Sequence, residues 1–559
     1  MLVPKLYTTL RTYDRRQFTA DLGAGVVVGI VAVPLAIAFA IASGVTPDRG
    51  LYTAIIAGFL ISALGGSRVQ IGGPTGAFVI IVYGVIQQYG LDGLLVATMM
   101  AGVILVGLGL SGLGSAIKFV PYPVVIGFTS AIALIIFSSQ VKDLFGLEMG
   151  EVPAAFFAKW RAFGEHAHTV NAEAAGVAAL TLAIILLWPR INRHLPGPFI
   201  ALVLTTLLVR LTGLDVETMG DRFGTISSSL PMPSIPRVSL SMVGELVAPA
   251  FAIALLAGIE SLLSAVVADG MIGGRHRSNM ELVAQGIANI ASPLFGGIPA
   301  TGAIARTATN VRYGGRTPVA GIVHAVTLLI ITLFFGRWAS YIPFATLAAI
   351  LIVVAYNMSE WRAFRGEFSG PRSDVLVMLT TFILTVAVDL VVALQVGMVL
   401  AAFLFMKRMS EVTNVQIVTR EYRDQPDAYA ADTADMRRRA IPDGVEVFEI
   451  NGPFFFGAAK TFMEQVESVL GRPKVLILRM RNVPAIDSTG LHALGELVHR
   501  ARREGTLVLL ADVHSQPMIA LGRSRLLDEI GDDVIFGNLD DALDRARQHL
   551  ALPAGGRPG

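Results

Sequence analysis

Gly72-Gly73-Pro74-Thr75-Gly76-Ala77 and Gly296-Gly297-Ile298-Pro299-Ala300-Thr301-Gly302-Ala303 are two copies of one motif. Each joins an apolar span to a short apolar helix, and the two fall at the third and tenth spans of the chain. With seven spans in each half, an odd number, the second half sits inverted relative to the first. Gly/Pro interruptions of this kind let a helix start in mid-membrane. Its first N–H groups and the positive end of its dipole then point at one place, and such a place attracts anions. Pro suits the first turn, where its missing N–H costs nothing. One such motif reads as the ordinary Gly and Pro content of a membrane helix. Two in corresponding positions read as a substrate site, with Thr75, Gly76, Ala77, Thr301, Gly302 and Ala303 at its edge.

The spans themselves are apolar runs. The 559 residues are 53% hydrophobic and only 15% charged, with a mean hydropathy of +0.64. A soluble fold needs more wettable surface than that, so the surplus apolar residues need a bilayer. At roughly 20 apolar residues per crossing, spans fall near 21–43, 51–66, 75–89, 91–115, 120–139, 172–189, 197–213, 245–268, 280–296, 302–313, 317–335, 343–357, 373–389 and 391–408, fourteen in all. Segments 75–89 and 302–313 are too short or too marked by Gly and Pro to cross cleanly. The run from about Gly23 to Ala42 follows Lys5, Arg11, Arg15 and Arg16. It is too long for a signal peptide and further spans follow at once, so it reads as the first transmembrane helix.

Basic residues in short loops, Arg68, Lys118, Arg275, Arg277, Arg312 and Arg316 among them, place both termini on the cytoplasmic side. Residues 1–20 then form a cytoplasmic N-terminal segment, and 21–408 the transmembrane transport domain. Residues 409–444 turn polar and read as a linker. From Val445 to residue 550, short β-runs (Val445–Ile450, Val475–Arg479, Leu507–Ala511) alternate with helical stretches (Ala458–Leu470, Thr489–Arg503, Gln516–Leu521, Leu539–Leu550), the pattern of a soluble α/β domain. Residues 551–559 read as a disordered tail. There is no cysteine, hence no disulfide, thiolate metal site or thiol nucleophile. The net charge of +2 comes with no basic stripe, which gives no support for nucleic-acid binding.

Polar residues inside the spans carry the remaining signal. Glu260 lies in Ala257-Gly258-Ile259-Glu260-Ser261-Leu262-Leu263-Ser264, in the middle of an apolar helix. Such a carboxyl is costly to insert and tends to be functional. It can carry a coupling proton, ligate Na⁺ or hydrogen-bond a substrate. Ser264 lies one turn further on the same face. Arg306 follows the second half-helix start. It either strengthens the local positive field, pairs with Glu260, or snorkels to the inner surface. Pro34, in Val33-Pro34-Leu35-Ala36-Ile37-Ala38-Phe39, frees a carbonyl inside the first span and is expected to kink it. His276, His324 and the other histidines read as loop or span-end residues.

These residues resemble the sulfate permease (SulP) family of anion transporters. The likeness rests on Val33–Ala40, Gly50-Leu51-Tyr52, Gly72–Phe78, Ser278-Asn279-Met280-Glu281-Leu282-Val283-Ala284-Gln285-Gly286-Ile287-Ala288-Asn289 and Gly297–Asn310. In the C-terminal part, Asn451-Gly452-Pro453-Phe454-Phe455-Phe456 and Ile486-Asp487-Ser488-Thr489-Gly490-Leu491 resemble the family's STAS domain. The likeness covers nearly the whole chain, in the right order. It implies an α-helical polytopic fold of fourteen spans in two inverted sevens, split into core and gate subdomains, with a cytoplasmic α/β STAS domain. It also implies an elevator-like motion, a homodimer, and a site framed by spans one, three, eight and ten, which brings in Pro34 and Phe39. Gly258–Leu263 and Asn357-Met358-Ser359-Glu360 carry a finer likeness to bacterial C4-dicarboxylic acid transporters. Leu35 stands where many sulfate-type members have Gln, and Glu260 where some bicarbonate transporters carry an Asp that ligates Na⁺. Asp487-Ser488-Thr489-Gly490 matches the loop phosphorylated in anti-sigma-factor antagonists, which makes Ser488 and Thr489 candidate modification sites; capping of the helix by Ser488 explains the same residues.

Three functions follow as expectations. The first is proton-coupled uptake of a C4-dicarboxylate such as succinate or fumarate, with Glu260 carrying the proton. The second is bicarbonate or sulfate transport, driven by Na⁺. The third differs in kind: an anion-binding membrane sensor that signals through the STAS domain to a cytoplasmic partner. The expected location is the bacterial inner membrane. No cofactor, metal cluster or nucleotide-binding loop is indicated, and an enzyme reading finds no support.

Overall fold

A computed structural model describes residues 2–551 apart from 116–119, 151, 154, 193–194, 225–227, 237–239, 389, 413, 418–440 and 468–472. The chain divides into two units, 1–401 and 402–559, with the boundary inside the helix Leu390–Val412.

The first unit is helical. Its main elements are α1 (Arg15–Ala42), α2 (Pro47–Leu64), β1 (Gly72–Gly73), α3 (Phe78–Leu110), α4 (Tyr122–Ser139), α5 (Ala172–Ile191), α6 (Gly197–Thr212), α7 (Leu240–Ile272), α8 (Ser278–Leu294), β2 (Thr301–Gly302), α9 (Ile304–Arg312), α10 (Pro318–Phe335), α11 (Phe344–Met358), α12 (Arg372–Ala387) and α13 (Leu390–Val412). Every predicted span has its helix. The expected break between spans three and four falls inside α3 at Gly90, whose φ of 69° and ψ of −174° leave the helical region. Helix starts follow their caps: Asp14 accepts the Gln17 N–H at 2.7 Å ahead of α1, and Pro opens α2 and α10. Among the described residues, eight helices are long and apolar enough to cross a membrane. With nine residues, α9 is not one of them: at 1.5 Å per residue it covers about half of a ~30 Å hydrocarbon core.

Two packed groups emerge. In one, α1 and α2 lie against α10, and α3 against α7 and α8. In the other, α4 packs on α11 and α12, and α5 on α6 and α11. These are the core and gate subdomains. Small residues set the contacts, as expected where lipid supplies no hydrophobic drive between helices. A methyl on Gly102 of α3 would lie 2.6 Å from the Gly286 carbonyl of α8, and one on Gly127 of α4 2.4 Å from the Met378 carbonyl of α12.

The second unit carries a five-stranded sheet, order β3-β4-β5-β6-β7, from β3 (Asn414–Ile417), β4 (Val445–Asn451), β5 (Val475–Asn482), β6 (Leu507–Ala511) and β7 (Ile535–Phe536). β3 pairs antiparallel and the rest are parallel. The helices are α14 (Phe456–Glu467), α15 (Ser488–Arg503), α16 (Ser515–Arg523), α17 (Leu526–Ile530) and α18 (Leu539–His549). The first six residues of β5, Val475–Met480, are buried, the mark of a central strand covered on both faces. Phe454 and Phe462 meet edge to face at 5.2 Å in the core. The domain begins earlier than expected. β3 lies inside the residues read as a linker, its alternating Asn-Val-Gln-Ile too short a signal amid polar neighbours. The rest of that linker, 418–440, and the tail from 552 lie outside the described residues.

Candidate functional site

The two copies of the motif touch. Gly72 pairs with Gly302 and Gly73 with Thr301 in an antiparallel ribbon, and the Ala303 N–H donates to the Ile71 carbonyl at 2.8 Å. Gly73 has a φ of +148°, and a methyl there would lie 2.6 Å from Arg306 Nη1, so the ribbon needs glycine at this point. Both discontinuous helices start beside the ribbon. In α3, the Phe78 and Val79 N–H groups donate to the carbonyls of Thr75 and Gly76 at 3.3 and 3.1 Å. The amides of Gly76 and Ala77 precede them in the first turn and have no carbonyl of their own helix to reach. In α9, the Thr307 N–H donates to the Ala303 carbonyl at 2.9 Å, which leaves Ile304 and Ala305 in the same position.

Helix α7 runs past both starts. Glu260, half-buried, accepts the Thr75 hydroxyl at 3.1 Å. Its neighbour Ser261 shares a 2.7 Å hydrogen bond with the Thr301 hydroxyl and accepts the Gly302 N–H at 3.1 Å. One turn on, Ser264 donates to the Thr307 hydroxyl at 3.2 Å, and that oxygen accepts the Ile71 N–H at 3.0 Å. Ser264 is fully buried, so it braces the ribbon instead of facing the site with Glu260. Arg306 is 2% exposed, which rules out snorkelling. Its Nη2 donates to the Pro74 carbonyl and it forms no ion pair with Glu260. Its charge therefore stays beside the two helix starts.

Phe39 and Gly76 face the gate. A methyl on Gly76 would lie 3.2 Å from the Phe39 ring, and 3.0 Å from both the Ile136 Cδ1 and the Met358 Sδ. Pro34 is buried on the same helix as Phe39. It sits five residues before Phe39, about 7.5 Å along the axis, and α1 runs through it as one helix from Arg15 to Ala42.

A polar frame that no local motif announces holds the site. Glu281 accepts the Gly66 and Ser67 N–H groups at 2.8 and 3.0 Å and the Gln285 amide at 3.1 Å. Asn289 clamps Ala300, donating to its carbonyl at 2.8 Å and accepting its N–H at 2.9 Å. Thr53 accepts the Ile298 N–H at 2.7 Å, and Arg49 donates to the Gly296 carbonyl at 2.7 Å. The available signal is spacing: Glu281, Gln285 and Asn289 form one i, i+4, i+8 stripe on α8, and all three are fully buried. Nearer the N-terminus, Asp21 accepts the Arg316 N–H at 2.8 Å and the Tyr13 hydroxyl at 3.1 Å. Burial and that carboxylate push the Tyr13 phenol up to about 12. His324 also departs from its reading as a span-end residue: it is fully buried within α10.

In the C-terminal domain the cap of α15 is Asp487, not Ser488. Its Oδ1 accepts the Gly490 N–H at 2.8 Å and its Oδ2 the Phe456 N–H at 3.2 Å. Ser488 and Thr489 are left exposed on the first turn.

A polytopic bundle whose two broken helices start at a shared backbone ribbon, beside a buried arginine and a carboxylate inside a span, is the architecture of an inverted-repeat membrane transporter, here with an appended α/β module. The chain belongs to the sulfate permease family, whose sequence model matches residues 18–381, and a STAS domain matches residues 438–542. It is 42% identical to "Putative sulfate transporter YvdB" of Bacillus subtilis (strain 168), over 95% of this chain and 98% of that protein. It is 29% identical to "Bicarbonate transporter BicA" of Picosynechococcus sp., over 95% of each chain. The solved transmembrane domain of a cyanobacterial BicA superposes with a TM-score of 0.62 at 32% identity, over 70% of this chain and all of that one. The overall structure of SLC26A9 superposes with a TM-score of 0.85 at 19% identity, over 97% and 92%, and shows the same fold.

Proposed function

We propose that the protein is a secondary active carrier of a small oxyanion, bicarbonate or sulfate, in symport with a cation held at Glu260. The observation that carries this is the Glu260 carboxylate on the Thr75 hydroxyl, at the start of a discontinuous helix. The anion sits between the first turns of α3 and α9. The amides of Gly76, Ala77, Ile304 and Ala305 donate to it, and Arg306 adds field. Glu260 beside an anion repels it, so the site fills only when Na⁺ or a proton neutralises that carboxylate. This makes loading of the two charges mutually dependent. Phe39 and Gly76 on the core side meet Ile136 and Met358 on the gate side. An elevator-like slide of the core parts these faces and carries the anion across the bacterial inner membrane, in a homodimer with cytoplasmic termini.

Names of relatives over nearly the full length point to sulfate and bicarbonate. The C4-dicarboxylate expectation draws no support from them and enters as one arm of the test. In the STAS domain, the exposed Ser488 and Thr489 suit phosphorylation, since a phosphate on a helix's first turn is favoured by its dipole.

The test is uptake into protein-only vesicles of labelled bicarbonate, sulfate and succinate, under imposed Na⁺ or proton gradients, beside Glu260→Gln. Expected is concentrative uptake of one inorganic oxyanion, driven by one gradient and uncoupled in the variant. Succinate accumulation in their place would move the substrate class. Binding without accumulation would favour the sensor.

A further inference from the structure

Four buried polar side chains around the ribbon find too few partners among the described residues. Both ring nitrogens of His324, both amide atoms of Gln70, the Ser62 hydroxyl and Arg306 Nη1 have no hydrogen-bond partner there. None of these residues is more than 4% exposed. The Gly321 carbonyl, one turn before His324, approaches the ring without meeting it in hydrogen-bond geometry.

Glycines of the ribbon and of the two helices beside it mark where the four polar ends lie. A methyl on Gly58 would lie 3.1 Å from the Gly72 carbonyl oxygen and 3.5 Å from His324 Cε1. One on Gly73 would reach Arg306 Nη1 at 2.6 Å, and one on Gly302 would run into the Gln70 amide at 1.7 Å. One on Gly321 would meet the Ser62 hydroxyl at 2.1 Å. So both strands of the ribbon and two flanking helices give up side chains to make room for these polar ends.

Six buried polar atoms left bare would cost a large share of a fold's net stability. The set also indicates what satisfies it. Arg306 Nη1 only donates. Ser62 and Gln70 donate and accept. A histidine ring needs two partners in either protonation state. A bare cation would face the guanidinium, and an anion would face the Gln70 carbonyl. Water donates and accepts, and suits every member.

We infer that Ser62, Gln70, His324 and Arg306 line a closed chamber of ordered water, and that His324 is a positioning residue for the anion site. Water bridges the imidazole to Nη1 of Arg306, and this holds Nη2 on the Pro74 carbonyl, where the first discontinuous helix begins. Without the bridge, the guanidinium loses its fixed place beside the two helix starts, and anion affinity falls while the translocation step stays intact. The positioning half of this inference rests on the proposed anion site; the chamber does not.

Two readouts test it on the full-length protein in vesicles. The first is hydroxyl-radical labelling in ¹⁸O water. His324 should take up label despite complete burial, and an unlabelled His324 peptide overturns the chamber. The second is anion uptake by His324→Gln and His324→Phe. The Phe variant should raise KM about tenfold, the loss of one hydrogen bond to a charged group, with Vmax within about twofold. The Gln variant, which keeps a donor and an acceptor, should stay near the parent. Equal KM in the Phe variant and the parent overturns the positioning role, as does an equal defect in both variants. Gln70→Met replaces His324→Phe if the latter does not fold. Should the parent carry none of the anions, the functional reading fails while the labelling still decides the chamber.

Discussion

Thr75 and Thr301 hold the same place in the two copies of the motif, and they do different work. Thr301 is fully buried and lies within the ribbon, its hydroxyl engaged by Ser261 and by the Ala257 carbonyl. Thr75 falls beyond the ribbon, half-buried, with its hydroxyl on Glu260. Five residues further, one copy has Ile80 and the other Arg306. The backbones are related by the inversion and the chemistry is not. The repeat supplies two helix starts aimed at one place, and unequal side chains then divide the tasks: one copy reaches the carboxylate, the other supplies the cation.

Substitutions that erase the inequality should separate these tasks. The largest effect is expected for Arg306→Leu, which makes the second copy resemble the first at this position. Loss of a buried charge beside the anion should raise KM about 30- to 100-fold, or ~2–3 kcal/mol, read from uptake against substrate concentration. Next comes Thr301→Ala. It removes the hydroxyl that joins the ribbon to α7 and should lower stability by about 2 kcal/mol, read from thermal melting in detergent, with KM little moved. Thr75→Ala should do the reverse, leaving melting almost unchanged and cutting gradient-driven uptake about fivefold, the scale of one ordinary hydrogen bond. A melting loss equal to that of Thr301→Ala would mean the two threonines are equivalent after all. The smallest effect belongs to Ser264→Ala, about 1 kcal/mol in melting with coupling intact. Loss of coupling there would return Ser264 to the site that Glu260 occupies.

Much of this was legible in advance. Apolar runs located all thirteen helices α1 to α13, even the division at Gly90 that makes two spans of α3. Alternation located the three central strands, β4 to β6, of the C-terminal sheet to within a few residues. The repeated motif located both helix starts. What escaped was whatever depends on partners far apart in the chain. Glu281 reaches amides 214 and 215 residues away, and no local pattern announces that. His324 reads as peripheral because hydropathy is blind to the burial a residue meets in the fold. Ser488 looked like the helix cap because Ser and Asp are both good caps, and only the observed backbone distances choose Asp487.

The ribbon bears on how such a carrier changes over time. It is made of main-chain hydrogen bonds, with glycine in three of its four places, so its pairing does not use the side chains that face the ion. Substitutions at Thr75, Glu260 or Arg306, the residues proposed to select the ions, would therefore leave that main-chain cradle in place. A lineage built on this cradle can exchange one cargo for another by a handful of point changes. Full-length relatives bearing the names of different anions are what such freedom would leave behind.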